Sequence, residues 1–347
     1  MRRRDLALSV AFLAAITFPL ATAPLAGSLE SEQRRAAPLP PLPRDFAALS
    51  TWPAAFQEWV NDHFGARSHL IRWRSAANYR LLGLSSSPDV AIGSDGFLHY
   101  QPELRAHLPG TEFTPAQLEG WRRWLERERD ALAARGIRYR FLVAPDKSTL
   151  YPETVRGARW QRPVSRLDQL LAHLRGRSTV EVIDPRDRLR ALAATALVYE
   201  RTDTHWNERG AQAAAAAVAE SEGLETPRFA VTQVPGGGGD LARMLSLPAL
   251  LREQRPHLTP EPPLPAPRGK LLLLHDSFGA RMIPFLALAF SEVKSAVGRS
   301  PEPRTLETLR PDLVVEELVE RDLISDPPPG LPPPPAPRPP PPEHRQP

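Results

Sequence analysis

From Ile137 onward, short apolar runs alternate with stretches of helical pattern, and that alternation restricts the chain to an α/β fold with a mainly parallel sheet flanked by helices. Ile137 to Ala144, Thr179 to Ile183, Ala196 to Glu200, Leu271 to Leu274 and Leu313 to Val315 read as strands, the last near the sheet edge. Val164 to Leu174, Arg186 to Ala194, Glu208 to Ala219 and Phe278 to Phe290 read as helices, with Pro284 kinking or restarting the last. Upstream, Thr114 and Pro115 suit the N-cap and first position of a long helix that stops at Gly136. Val90 to Tyr100 reads as a hairpin turning at Ser94-Asp95-Gly96, and Phe56 to Leu82 as helix broken at Gly65. Pro235 to Gly239 and Arg255 to Arg268 have the composition of surface loops.

The ends of the chain differ in kind from this middle. Arg2, Arg3 and Arg4 precede an apolar run from Leu6 to about Gly27, which directs the remainder of the chain out of the cytoplasm. Residues 1–28 therefore read as a signal peptide or signal anchor. Ala21-Thr22-Ala23 offers a cleavage site, but Pro24 comes directly after it and the run is long enough to span a bilayer, so an uncleaved anchor in the inner membrane is the favoured expectation. Residues 29–49 form a proline-rich linker, stiffest at Ala36 to Arg44, and residues 326–347 a proline-rich tail that cannot bury a core and is expected to be extended and disordered. Between them, 50–325 is expected to fold as a single domain of about 280 residues. The 41% hydrophobic residues of the whole chain suffice for a core, and the absence of cysteine excludes a disulfide framework and a lipidated cysteine. With a net charge of +4 and no basic stripe interleaved with aromatics, nucleic acid is excluded as a partner.

Chemistry concentrates where strand candidates end. Leu271 to Leu274 runs into His275-Asp276-Ser277, which places Ser277 at a strand-to-helix turn where its hydroxyl is held out near backbone N–H groups suited to an oxyanion. Taken alone, Ser277 could equally be an N-cap with Phe278 in the core. Ala196 to Glu200 runs into Asp203-Thr204-His205-Trp206-Asn207. A serine hydroxyl needs a base, and the base needs a group that fixes its tautomer. Ser277, His205 and Asp203 supply these as the candidate catalytic residues. Asp276 is a rival acid, although an acid beside the serine more often ties its own turn. A metal at Asp203 and His205 is disfavoured for want of a nearby third ligand, and no cofactor is required. In open α/β sheets the ligand lies beyond the carboxyl ends of the strands. On that rim Lys147, Tyr151, Trp206 and Asn207 are candidate substrate contacts. Lys147 could instead be a solvated loop lysine, Tyr151 could pack its turn, and Trp206 could be a core wall rather than a sugar platform.

These segments resemble the AlgJ/AlgX-type alginate O-acetyltransferases, whose SGNH-hydrolase-like domain carries an Asp-x-His-Trp signature and a later His-Asp-Ser-Phe turn. Further landmarks fall in the same order: Asn61-Asp62-His63-Phe64-Gly65 with Arg67, Ile92 to Leu98 with Phe97 where tryptophan is usual, Pro145-Asp146-Lys147 to Tyr151-Pro152-Glu153, and Gly239-Asp240-Leu241-Ala242-Arg243-Met244-Leu245. The resemblance covers about residues 50–323. It implies a periplasmic or otherwise extracytoplasmic enzyme that acetylates an alginate-like polysaccharide through an acetyl-serine, with Ser277 as nucleophile, His205 as base and Asp203 as its orienter. It also implies a multipass membrane acyltransferase as acetyl source and partner. Only the proline-rich tail succeeds the catalytic segment here, where AlgX-type members carry a carbohydrate-binding module, so AlgJ-type organisation is the nearer one. Two other readings share these residues: an esterase, in which water replaces the sugar hydroxyl, and a non-catalytic polysaccharide-binding scaffold.

Overall fold

The computed structural model describes residues 3–22, 36–106, 108, 110–157 and 164–324. The tail at 326–347 and the end of the apolar run, Ala23 to Gly27, lie outside the described residues. These fall into two compact units, one within Met1–Ser86 together with Leu245–Leu247, the other within Ser87–Met244 and Pro248–Pro347.

The first unit is helical: α1 (Arg3–Ala21), α2 (Phe46–His63) and α3 (Arg67–Ala77), which runs on into a π-helical turn at Asn78–Leu82. Asp45 caps α2 by accepting the Ala48 N–H, and Gly83 stops the last turn at φ 63°. The break between α2 and α3 falls at Gly65, and the proline-bearing stretch 36–44 has no regular secondary structure. Among the described residues no helix is long and apolar enough to cross a membrane. The first turn of α1 contains Arg3, Arg4 and Asp5.

In the second unit β1 (Val90–Ile92) and β2 (Leu98–Tyr100) form the expected hairpin, with Asp95 and Gly96 at φ 53° and 79° in its turn. The short α4 (Gln101–Arg105) comes after it. Next is α5 (Pro115–Ala133), opened by a capping box in which Thr114 and Gln117 exchange hydrogen bonds. It leads into β3 (Arg138–Ala144), then α6 (Lys147–Leu150), α7 (Arg166–Leu174), the two-residue β4 (Val182–Ile183) and α8 (Arg186–Ala193). The chain continues through α9 (Glu208–Ser221), β5 (Arg228–Gly236), α10 (Asp240–Met244), β6 (Glu253–Glu261) and β7 (Lys270–His275). It ends with α11 (Ser277–Ala280), α12 (Ile283–Leu286), β8 (Glu292–Val297), α13 (Pro303–Leu309) and β9 (Leu313–Val319).

Five strands make one parallel sheet in the order β4-β3-β9-β7-β8. Alternate residues of its central strands face two separate cores. Leu142, Leu271, Leu273, Leu313 and Val315 pack with Leu189, Trp206, Phe278 and the alanines of α9. Phe141, Val143, Leu272, Leu274, Val314 and Leu318 pack with Trp121, Trp124, Leu167, Leu170 and Leu306 from α5, α7 and α13. Burial on both faces is why these strands read as continuous apolar runs rather than alternating ones.

Three sequence expectations change. β9 is central, not at the edge: it pairs with β3 and β7, and all seven of its residues are buried. Ala196 to Glu200 is not a strand of the sheet; it makes only an isolated antiparallel bridge, Tyr199 with Trp206. The stretches expected as surface loops, Pro235 to Gly239 and Arg255 to Arg268, contribute to a two-stranded antiparallel ribbon in which β5 pairs with β6 over nine residues. Pro235, Pro256 and Pro260 fit because a two-stranded ribbon has two free edges, where a missing N–H is tolerated.

Candidate active site

The site lies beyond the carboxyl end of β7. Asp276 there folds the chain into α11: its Oδ1 accepts the Phe278 N–H at 2.7 Å and its Oδ2 accepts the Val319 N–H at 2.8 Å. The rival acid thus ties its own turn. Glu317, buried in β9, accepts the N–H groups of Asp276 and Gly279 at 3.2 and 2.9 Å. A Cβ on Gly279 would collide with the His275 Cβ and stand 2.8 Å from the Glu317 carboxylate, so this contact requires glycine. Two N–H groups of the turn, those of Phe278 and Gly279, are accordingly engaged by carboxylates and are not aimed at an oxyanion. Ser277 begins α11 rather than capping it, and it is exposed.

The loop from Val198 to Asn207 brings the imidazole to that serine. His205 Nε2 lies 2.8 Å from Ser277 Oγ, and His205 Nδ1 lies 2.6 Å from Asp203 Oδ1. Asp203 Oδ1 also accepts the His205 N–H at 3.0 Å. The imidazole packs against the Phe278 ring at 4.8 Å between centroids. The structure therefore brings Asp203, His205 and Ser277 into one continuous hydrogen-bonded chain.

Electrostatics reflect this placement. Burial pushes the Asp203 carboxyl up, but the His205 hydrogen bond and the Arg281 charge outweigh it and hold the group well below the usual carboxylate range. Burial disfavours the His205 imidazolium, whereas hydrogen bonds to Asp203 and Asp240 favour it more, so its pKa is raised above 6.5.

The four expected substrate contacts are all buried, and each braces the scaffold instead. Lys147 is fully buried and donates from Nζ to the carbonyls of Glu200, Arg201 and Asp203 at 3.3, 3.1 and 2.7 Å, which fastens the loop that carries Asp203 and His205. Burial draws its pKa down to about 8 against the pull of Glu103, Asp240 and Asp203. Tyr151 accepts the Val198 N–H at its hydroxyl, 2.9 Å away. Trp206 is a core wall, donating from Nε1 to the Phe278 carbonyl at 3.1 Å. Asn207 caps α9 by accepting the N–H groups of Arg209 and Gly210 and donates to the Leu197 carbonyl at 2.8 Å. These residue types can each serve a ligand or satisfy backbone groups, and the sequence does not separate the two.

Three participants were not singled out from the sequence. Asp240, at the start of α10, stands 3.4 Å from His205 Nδ1, accepts the Thr204 N–H at 2.7 Å and donates its own N–H to Asp203 Oδ2 at 3.1 Å. Its neighbour Gly239 packs so closely on Asp203 that a Cβ there would stand 2.7 Å from both the Asp203 Cα and Oδ2. Arg281 reaches Asp203 Oδ1 at 3.3 Å, Glu200 Oε1 at 3.0 Å and the Trp206 carbonyl at 2.8 Å. Glu253, in β6, accepts the N–H groups of Arg201 and Thr202 at 2.8 and 3.1 Å. The available signals were the Gly-Asp pair after a glycine run, and an arginine one helical turn beyond Ser277.

Asp203, His205 and Asp240 offer donor atoms within 4.8 Å of one another, the arrangement a metal ion could use. At 2.6 Å the Nδ1 and Oδ1 atoms are at hydrogen-bonding separation, closer than an ion held at about 2.0–2.2 Å from each would set them in tetrahedral geometry.

Residues 90–265, just over half of the chain, match the family model described as an SGNH hydrolase-like domain, acetyltransferase AlgX. The chain belongs to this family. Ser277 lies beyond the matched stretch, so its place beside His205 is a finding of the tertiary structure. Among curated proteins, the chain is similar to several named "Probable alginate O-acetylase AlgJ". It is 29% identical to the one from Pseudomonas aeruginosa over 215 residues, 58% of this chain and 52% of that protein. It is 27% identical to the one from Azotobacter vinelandii over 213 residues, 58% of this chain and 53% of that protein. The chain thus spans about half the length of the curated relatives it matches. Among solved structures, the O-acetyltransferase domain of Pseudomonas putida AlgJ superposes with a TM-score of 0.51 at 24% identity, covering 68% of this chain and 93% of that one. Pseudomonas aeruginosa AlgX gives 0.50 at 18% identity, covering 68% and 63%. At these identities the likeness is one of fold, the SGNH-hydrolase-like α/β arrangement with its parallel sheet.

Proposed function

We propose that this chain is an O-acetyltransferase that moves acetyl groups onto hydroxyls of an extracytoplasmic, alginate-like polysaccharide through an acetyl-serine intermediate. The observation that supports this reading is the hydrogen-bonded series Asp203–His205–Ser277 beyond the carboxyl end of β7. His205 Nε2 takes the Ser277 hydroxyl proton as Oγ attacks the carbonyl carbon of an acetyl ester. The donor's C–O bond then breaks, and the leaving alcohol takes the proton from His205. In the second half a sugar hydroxyl gives its proton to the same Nε2 and attacks the acetyl carbon, and Ser277 departs with that proton restored. Asp203 holds the imidazole with Nδ1 protonated and Nε2 free to accept, and supports its positive charge. Family membership and the curated relatives' names support acetyl transfer and the polymer. The arginines ahead of the apolar run support export, and a membrane acyltransferase would supply acetyl on the far side.

One observation favours hydrolysis as the competing outcome: Ser277 is exposed, so water can reach the acetyl group as well as a sugar can. Incubation with an activated acetyl ester and subsequent mass spectrometry are expected to show one added acetyl group on Ser277, discharged faster by an oligosaccharide acceptor than by water. Ser277→Ala is expected to fold and to lose activity by on the order of a thousandfold or more. Near-wild-type turnover in that variant removes Ser277 from the mechanism, and discharge indifferent to any sugar makes the enzyme an esterase.

A further inference from the structure

The helical unit carries a surface that the acetyl chemistry does not use. Between Asp62 and Asp89 the sequence contains Arg67, Arg72, Arg74 and Arg80 and not one carboxylate. This stretch forms α3 and the π-helical turn after it. Large apolar side chains stand in solvent among the arginines: Trp73 is 77% exposed, Leu81 80% and Leu82 63%, with Leu70 and Leu84 also exposed. Arg72, Arg74 and Arg80 are exposed beside them. Within α3 Arg72 Nε donates to the Ser68 carbonyl at 3.1 Å, a local bond that leaves this surface unchanged.

A helix of this kind has two demands, removal of apolar side chains from water and a negative partner for its arginines. A soluble polyanion meets only the second and leaves Trp73, Leu81 and Leu82 wet. A second copy of the chain meets only the first and sets two arginine clusters against each other. A bilayer containing acidic lipids meets both. Apolar side chains and a tryptophan enter the headgroup boundary, while the guanidinium groups stay level with the phosphates.

We infer that α3 and the turn at Asn78–Leu82 form an interfacial membrane-binding element that lies on an anionic lipid surface, with Trp73, Leu81 and Leu82 inserted and Arg72, Arg74 and Arg80 on the headgroups. This contact lies in the surface plane, differs from the leader, and does not depend on the acetyltransferase reading.

The test is cosedimentation of the full chain with phosphatidylcholine vesicles containing about one third phosphatidylglycerol, against phosphatidylcholine alone, at low and high salt. The chain is expected to prefer the anionic vesicles and to lose that preference in high salt. R72E/R74E/R80E is expected to weaken binding at least about tenfold, and W73S/L81S/L82S to weaken it comparably, both with acyl transfer to a soluble acceptor unchanged. Both variants keep α1, so binding that survives equally in wild type and variants overturns the inference, as does equal partition onto the two vesicle types. Binding of a soluble polyuronate through the three arginines without vesicle binding assigns the surface to polysaccharide. Self-association in the absence of vesicles, abolished by W73S/L81S/L82S, assigns it to a second copy. Either result also overturns the inference.

Discussion

His205 is held between opposing demands. As a base it must be neutral at Nε2, yet Asp203 and Asp240 both favour its protonated form and raise its pKa above the ordinary value of 6.5. Because the protonated imidazole cannot accept the Ser277 proton, kcat/KM is expected to rise with pH along a limb whose apparent pKa lies above 6.5. Asp203→Asn removes a charge that favours the imidazolium, so the limb is expected to move to lower pH. The maximal rate should fall by on the order of a hundredfold or more, since the imidazole also loses its preferred tautomer. A pH–rate profile of the two proteins checks both statements, and an unmoved limb would show that another group titrates. At this scale the sequence singled out three residues that the structure places within hydrogen-bonding distance of one another. Asp203, His205 and Ser277 could be picked out because the three residue types have few joint uses. Lys147, Tyr151, Trp206 and Asn207 were placed in the right neighbourhood but given the wrong partners, because burial decides whether an amine or an amide meets a ligand or a backbone carbonyl.

The element that matters most is the loop from Val198 to Asn207, which is not part of the five-stranded sheet. Its backbone groups are satisfied from several sides: Lys147 donates to three carbonyls, Glu253 accepts two N–H groups and the Leu98 N–H donates to the Arg201 carbonyl. Part of the stretch read as loop from composition, Arg255 to Glu261, lies in β6, the strand that carries Glu253. Lys147→Met keeps the apolar stem but removes the charged donor from the Glu200, Arg201 and Asp203 carbonyls, of which Arg201 keeps the Leu98 N–H. It is expected to cost about 1–3 kcal/mol and to lower kcat more than it raises KM, because the loop that positions Asp203 loosens. Urea denaturation and steady-state kinetics measure these separately. A variant with full stability and full kcat would show that the loop holds itself. The reading of Ala196 to Glu200 as a strand failed for a related reason: a short apolar run signals burial, and here the burial is against α9 and Phe278 rather than between two strands.

For the whole molecule, the proposed export and the proposed polysaccharide substrate stand together, since both need a site outside the cytoplasm. Alkaline phosphatase joined after Arg44 is expected to be active in an exporting bacterial host, because Arg2 to Arg4 retain the leading end inside. An inactive fusion, with a cytoplasmic reporter active at the same point, would remove an extracytoplasmic polymer as substrate. The sequence by itself determined the α/β class, the capped α5, the β1–β2 hairpin and the strand-to-helix turn at Ser277. These depend on periodicity, caps and turn residues that act over a few positions. Only the tertiary structure decided that β9 is central, that β5 and β6 pair, and that Asp240, Arg281 and Glu253 close around a loop separated from Ser277 by about seventy residues. Those relations come from which surfaces exclude water together, and no local pattern encodes the partner of a buried face.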